Sequence, residues 1–151
     1  RRGIPLNPIG GGVVEIEARV PRRFTSMILY RDTTLDPLEV LISQETTSIL
    51  DVMHHGNGSI LANIRECHME AEPLVGTVLD ELAAIGFSGV LDVGAPNAPL
   101  LGVPVSPQYV GVAMVGGTNA MAAVREAGKP IVTRALKGVI DIREMGYLED
   151  Y

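Results

Sequence analysis

Apolar and polar positions alternate near the start of the chain, where the run VVEIEARV occupies residues 13–20. Because successive side chains of a strand point to opposite faces, this alternation predicts a half-buried β-strand. The aromatic and β-branched residues of segment 24–30 predict a second strand, which follows a turn at Pro21. The chain therefore opens with a predicted strand pair.

Two short helices are predicted after this pair. Asp36 is placed to cap the first N–H groups of a helix, Pro37 suits its first turn, and Glu39 completes a variant of the capping box. A second short helix is predicted over residues 47–55, with its end at Gly56.

In the second half of the chain, predicted strands and helices follow one another in a recognisable order. Strongly apolar or alternating runs predict strands, and a stripe of leucines and valines before Gly86 predicts the clearest helix. The predicted order is a strand at 60–65, a helix at 73–85, strands at 89–93 and 109–115, a helix at 118–127 and a strand at 131–135. This order is typical of a ferredoxin-like α+β sandwich (α-β plait). We predict such a core at about residues 59–135, with the strand pair and the short helices packed on or beside it.

Composition narrows the class of protein. The 151 residues suffice for one domain, and the hydrophobic fraction of 46% argues against disorder. A net charge of −6 without a Lys/Arg stripe argues against direct binding of nucleic acid, and no apolar run is long enough to span a membrane. The single cysteine cannot form an internal disulfide, which indicates the cytoplasm. Because the chain starts at Arg1 without an initiator Met, we interpret it as a fragment of a longer protein.

The sharpest chemical feature is the run Val115-Gly116-Gly117-Thr118-Asn119, which leaves an apolar strand and opens a helix. Glycines allow close backbone approach, and free N–H groups at a helix start favour an anion. Arg134, near the end of the last predicted strand, is placed to pair with a carboxylate. We predict a site for a carboxylate ligand at Gly116, Gly117, Thr118, Asn119 and Arg134. The alternative is an ordinary strand-to-helix turn that binds nothing, with Arg125 and Arg134 in surface salt bridges.

The spacing of the histidines, the cysteine and the serines does not favour metal binding or catalysis. His54 and His55 are adjacent, so they point apart on a helix, and as cations they suit its C-terminal end. Cys67 and His68 are neighbours in a predicted strand and face opposite sides. No Gly-x-Ser-x-Gly or Cys-x-x-Cys motif occurs. We therefore predict no metal site, no catalytic residues and no enzymatic activity.

Four stretches resemble the regulatory domain of NrpR, the archaeal nitrogen repressor family. They are TTLDPLEV at 33–40, GSILANIR at 58–65, GVPV at 102–105 and YVGVAMVGGTNAMAAVREAG at 109–128. The resemblance covers residues 13–140, and the last stretch is long enough to be specific. Members of this family have an N-terminal winged helix-turn-helix followed by one or two regulatory domains.

The resemblance implies a function for the chain. Residues 1–151 would be a single effector-sensing domain of a repressor of nitrogen-assimilation genes, with 2-oxoglutarate as the effector that releases DNA. It also implies a homodimer that contacts DNA only through a winged helix, which this chain lacks. The alternative is a purely structural dimerisation domain without a ligand.

Overall fold

The computed structural model describes residues 3 and 5–132 and places five strands in one antiparallel sheet. The strands are β1 (Asn7–Glu17), β2 (Val20–Leu29), β3 (Gly58–His68), β4 (Val90–Val93) and β5 (Tyr109–Val115). Their order across the sheet is β2-β1-β3-β5-β4, so β2 and β4 form the edges.

Four α-helices of the described region connect or follow these strands. They are α1 (Pro37–Ser43), α2 (Ile49–His55), α3 (Glu72–Ala84) and α4 (Asn119–Glu126), with 3-10 turns at Tyr30–Asp32 and Met69–Ala71. The Asp36 carboxylate caps α1 by accepting from the N–H groups of Leu38 (2.8 Å) and Glu39 (3.3 Å). Gly56 ends α2 in the left-handed conformation, with φ of 76°. The cap predicted at Asp36 and the helix end predicted at Gly56 are thus confirmed, whereas the described structure shows no hydrogen bond by which Glu39 would complete a capping box.

The topology confirms a ferredoxin-like α+β core. The unit β3-α3-β4 is a split β-α-β, because β5 lies between β3 and β4 and runs antiparallel to both. On the other side of β3 lies β1, with Val14 opposite Ile60. The N-terminal strand pair therefore extends the sheet of the core rather than packing on its surface. Ile131 and Val132 lie outside any strand, and the remainder of the strand predicted at 131–135 falls outside the described residues.

Helices cover one face of the sheet. Because side chains alternate along β3, Leu61 and Cys67 share a face. Cys67 packs with Val75 of α3, and Leu61 belongs to the same buried cluster as Ala122 of α4. Both α3 and α4 therefore contact this face of the sheet.

The loop 94–108 covers the opposite face. Leu100 and Val103 hydrogen bond to each other and pack with Ile64 and Ala113. Gly111 allows this close approach, because a Cβ atom there would lie 3.1 Å from Leu100 and 3.0 Å from the side chain of Val105. This Pro-rich loop thus places its apolar side chains in the core. Each helix of the described region is too short or too polar to cross a lipid bilayer.

Candidate functional site

The turn between β5 and α4 approaches β3 closely. Gly116 is buried, and its N–H donates to the carbonyl of Leu61 at 2.8 Å. A Cβ atom on Gly116 would lie 3.1 Å from both that carbonyl oxygen and the Cδ1 of Leu38 in α1. A side chain at this position would therefore be crowded by β3 and α1, and glycine allows the close approach.

The side chain of Asn119 fixes the same turn. Its Oδ1 accepts from the N–H of Leu61 at 2.8 Å, and its Nδ2 donates to the carbonyls of Leu61 (2.7 Å) and Gly116 (2.9 Å). Pairing between β3 and β5 begins at Ala62 of β3, which lies opposite Val115, the last residue of β5. The Asn119 amide thus continues the hydrogen bonding of β3 beyond the end of β5. This side chain positions the turn, and its predicted contact with a ligand stays a prediction.

The outer side of the turn is open. Gly117 is exposed, and a Cβ atom built on it would meet no atom within 4 Å. Within the described region, the backbone N–H groups of Gly117, Thr118 and Ala120 donate no hydrogen bond, whereas that of Asn119 donates to Gly116. Backbone N–H groups without an acceptor at the start of a helix are groups that can bind an anion.

Thr118 stands immediately before α4, but its hydroxyl does not cap the helix. The residue already has helical angles, with φ of −84° and ψ of 0°, so its side chain is poorly placed to reach the free N–H groups. The Thr118 Oγ1 is buried and has no hydrogen-bond partner among the described residues. Arg134, the predicted cationic partner of this turn, lies outside those residues.

The C-terminal end of α4 holds the two short helices in place. Arg125 donates to the carbonyl of Ile42 in α1 at 2.8 Å and pairs with Glu45 at 3.3 Å. Glu126 accepts from the N–H of Leu50 in the first turn of α2 at 3.0 Å and from the hydroxyl of Thr47. A cation at a helix C-terminus and a carboxylate at an N-terminus both complement the helix dipole. Arg125 thus forms the salt bridge that the sequence left open as an alternative, and it also contacts α1.

The histidines and the cysteine form no reactive centre in the described structure. No group of three His, Cys, Asp or Glu side chains there is arranged to hold a metal ion. Burial raises the pKa of the Cys67 thiol above its ordinary value, and the nearby Glu72 carboxylate raises it further. A thiol in this environment remains protonated and is a poor nucleophile.

A cleft of about 720 Å³ lies on the loop-covered side of the sheet, and it was not predicted. Phe24 and Met27 of β2 and Val103 of the loop line it, together with Glu66 of β3. Glu66 is only 7% exposed and accepts from the N–H and the hydroxyl of Ser106, each at 2.7 Å. Residues 66 and 106 are too far apart in sequence for any local pattern to indicate this pair.

The chain is similar to proteins of known family. Residues 1–147 match the family model described as NrpR regulatory domains NRD1 and 2. The chain is 35% identical over 145 residues to the global nitrogen regulator NrpRI of Methanosarcina mazei, covering 96% of this chain and 45% of that protein. It is 31% identical over 147 residues to the global nitrogen regulator NrpR of Methanococcus maripaludis, covering 97% of this chain and 25% of that protein.

A solved structure has a similar fold. It is the crystal structure of a nitrogen repressor-like protein from Methanococcus jannaschii, with a TM-score of 0.70 and 29% identity. The similarity covers 88% of this chain and 55% of that one. The chain thus spans between a quarter and about half of the length of these relatives.

Replacement of Asn119 tests whether it positions the turn. In Asn119→Ala the buried N–H of Leu61 loses its acceptor, so we expect the free energy of unfolding to fall by about 2–3 kcal/mol. Gln44→Ala, at an exposed position with no side-chain hydrogen bond in the described structure, is the control and should change it by less than about 0.5 kcal/mol. Urea unfolding followed by circular dichroism measures both. Equal stability of Asn119→Ala and the parent would show that the amide is dispensable.

Proposed function

Because the chain belongs to the family of NrpR regulatory domains, we propose that it is the ligand-sensing domain of a nitrogen-responsive transcriptional repressor. The match of residues 1–147 to the family model is the observation that carries this proposal. The proposed effector is 2-oxoglutarate, whose binding releases the repressor from DNA. The domain acts by binding rather than by catalysis. Its net charge of −6 favours a DNA contact made by another part of the protein.

The turn at the start of α4 is the proposed position of one effector carboxylate. The free N–H groups of Gly117, Thr118 and Ala120 would donate to it, and the helix dipole adds a favourable field. Gly116 and Asn119 hold the turn against β3 without contacting the ligand. Arg134 is proposed to bind the second carboxylate, since a guanidinium pairs well with such a group.

The contacts of α4 provide a route from this site to other elements. An anion at the start of α4 acts on the same helix whose last residues contact the end of α1 and the start of α2. A small displacement of α4 on binding would therefore change its contacts with both short helices, α1 and α2. In this proposal, α1 and α2 respond to the effector, and the sheet serves as the fixed frame.

Substitution of Gly117 tests the anion site without disturbing the fold. In Gly117→Val the side chain occupies open space beside the free N–H groups, so binding of 2-oxoglutarate should weaken at least tenfold while stability is unchanged. Gly76→Val is the matched control, because a Cβ atom on Gly76 in α3 also meets nothing within 4 Å. Isothermal titration calorimetry measures the affinities. A Gly117→Val variant that binds like the parent would exclude this turn as the site.

Arg134 is tested by the same titration. Loss of a charge-assisted pair in Arg134→Ala should weaken binding of 2-oxoglutarate by roughly 10- to 100-fold. Lys137→Ala removes an equal charge three positions further along the sequence and should have little effect on binding. If Arg134→Ala binds as tightly as the parent, the second carboxylate is bound elsewhere. If no variant or parent binds 2-oxoglutarate, the alternative of a structural dimerisation domain is favoured.

Self-association is proposed to use the surface around α3. Apolar side chains are exposed along α3 and in the segment after it: Leu74 (39%), Ile85 (80%) and Phe87 (43%). The Pro-rich loop 94–108 instead buries Leu100 and Val103 in the core of the domain. Exposed apolar patches on a domain often mark interfaces, and paired domains suit a symmetric operator.

A charge placed on this surface tests the dimer. Leu74→Glu and Ile85→Glu should convert a dimeric parent to a monomer in sedimentation velocity, because an unpaired carboxylate would be buried on association. Leu35→Glu, at a 51% exposed position before α1, is the control and should remain dimeric. A parent that sediments as a monomer at high concentration would contradict self-association by this chain.

A further inference from the structure

The cleft beside β2 contains a buried carboxylate that forms no ion pair with any residue that the structure describes. Glu66 is 7% exposed, and its oxygens accept one hydrogen bond each, from the N–H and the hydroxyl of Ser106. No cationic side chain of the described region pairs with it within salt-bridge distance. Each carboxylate oxygen retains a lone pair for a second donor. Because buried charges in proteins are ordinarily paired, a cation is the complementary group at this position.

The remainder of the cleft favours a small organic cation with an apolar body. Phe24, Met27 and Val103 supply apolar walls, and the volume of about 720 Å³ lies in the range of small-molecule sites. Arg31 also lines the cleft and provides one positive charge. Its pair with Asp32 is long, 3.7 Å, and both side chains are largely exposed, so this pair is weak and leaves Arg31 able to bind an anion.

We propose that this cleft binds an α-amino acid with an apolar side chain. The ammonium group donates to Glu66, the carboxylate faces Arg31, and the side chain lies against Phe24 and Met27. A dicarboxylate such as 2-oxoglutarate has no group to offer Glu66 and would be repelled by it. This site is on the opposite face of the sheet from the α4 turn and does not depend on the effector proposed there.

Three probes that share the isobutyl side chain of leucine test the proposal on the unmodified chain. They are L-leucine, the corresponding oxo acid 4-methyl-2-oxopentanoate, and 3-methylbutylamine, which lacks the carboxylate. Calorimetry should show one leucine bound per chain, with the oxo acid at least tenfold weaker because it cannot donate to Glu66. The amine should bind more weakly than leucine but more tightly than the oxo acid. Equal binding of leucine and the oxo acid, or no binding of leucine, L-methionine and L-phenylalanine, overturns the proposal.

Two variants assign the ends of the ligand. Glu66→Gln removes the charge but can still accept from the N–H of Ser106 and donate to its hydroxyl, so the thermal unfolding midpoint should change little. Leucine should bind at least tenfold more weakly to this variant. Arg31→Gln should weaken leucine but leave 3-methylbutylamine unchanged. Undiminished leucine binding by a folded Glu66→Gln variant refutes the site, and equal losses for leucine and the amine in Arg31→Gln refute the proposed orientation.

Discussion

The three hydrogen bonds of the Asn119 amide, two to Leu61 and one to Gly116, are the constraint on which the candidate site depends. Beyond the end of β5 the carbonyl of Leu61 still accepts from the N–H of Gly116, but its N–H has the Asn119 Oδ1 as its acceptor among the described residues, and Leu61 is fully buried. An unsatisfied buried peptide is costly, so the amide must remain in place. This fixes the start of α4 on β3, where the N–H groups of residues 117, 118 and 120 have no acceptor among the described residues.

The two faces of the sheet give the domain two different chemical environments. On the helical face, α4 joins the open turn at one end to α1 and α2 at the other, through Arg125 and Glu126. On the loop face, the bonds between Glu66 and Ser106 hold the loop over the sheet beside an open cleft. One face thus offers N–H donors to an anion, and the other offers a carboxylate to a cation.

Elements with strong local signals were predictable from the sequence. The cap at Asp36, the left-handed end at Gly56 and the apolar strand β5 all occur as expected. Each depends on residues within a few positions of one another. The first strand was predicted at 13–20 with a turn at Pro21, and this is wrong: β1 runs over Asn7–Glu17, the turn lies at Ala18 and Arg19, which have positive φ angles, and Pro21 lies within β2. The pairing of β1 with β3 was not predictable, because the paired residues, from Ile16 with Gly58 to Asn7 with Glu66, are far apart in sequence and leave no local pattern.

The long-range polar contacts could not be predicted for the same reason. Asn119 was predicted as a ligand contact, and its bond to Leu61, 58 positions away, was not predicted. The bond from Arg125 to Ile42 spans 83 positions, and that from Ser106 to Glu66 spans 40. A sequence shows that a polar residue needs a partner but not which distant backbone group will supply it. The ligand contact predicted for Arg134 remains a prediction.

The most direct test of the account is a titration of the isotopically labelled domain with 2-oxoglutarate, followed by amide signals in NMR spectra. The account predicts that the signals of Gly117, Thr118 and Ala120 shift downfield as new hydrogen bonds form. The Leu61 signal should shift little, because its bond to Asn119 persists. Shifts confined to the loop-side cleft, at Phe24, Glu66 and Ser106, would contradict the account and place the effector on the other face of the sheet.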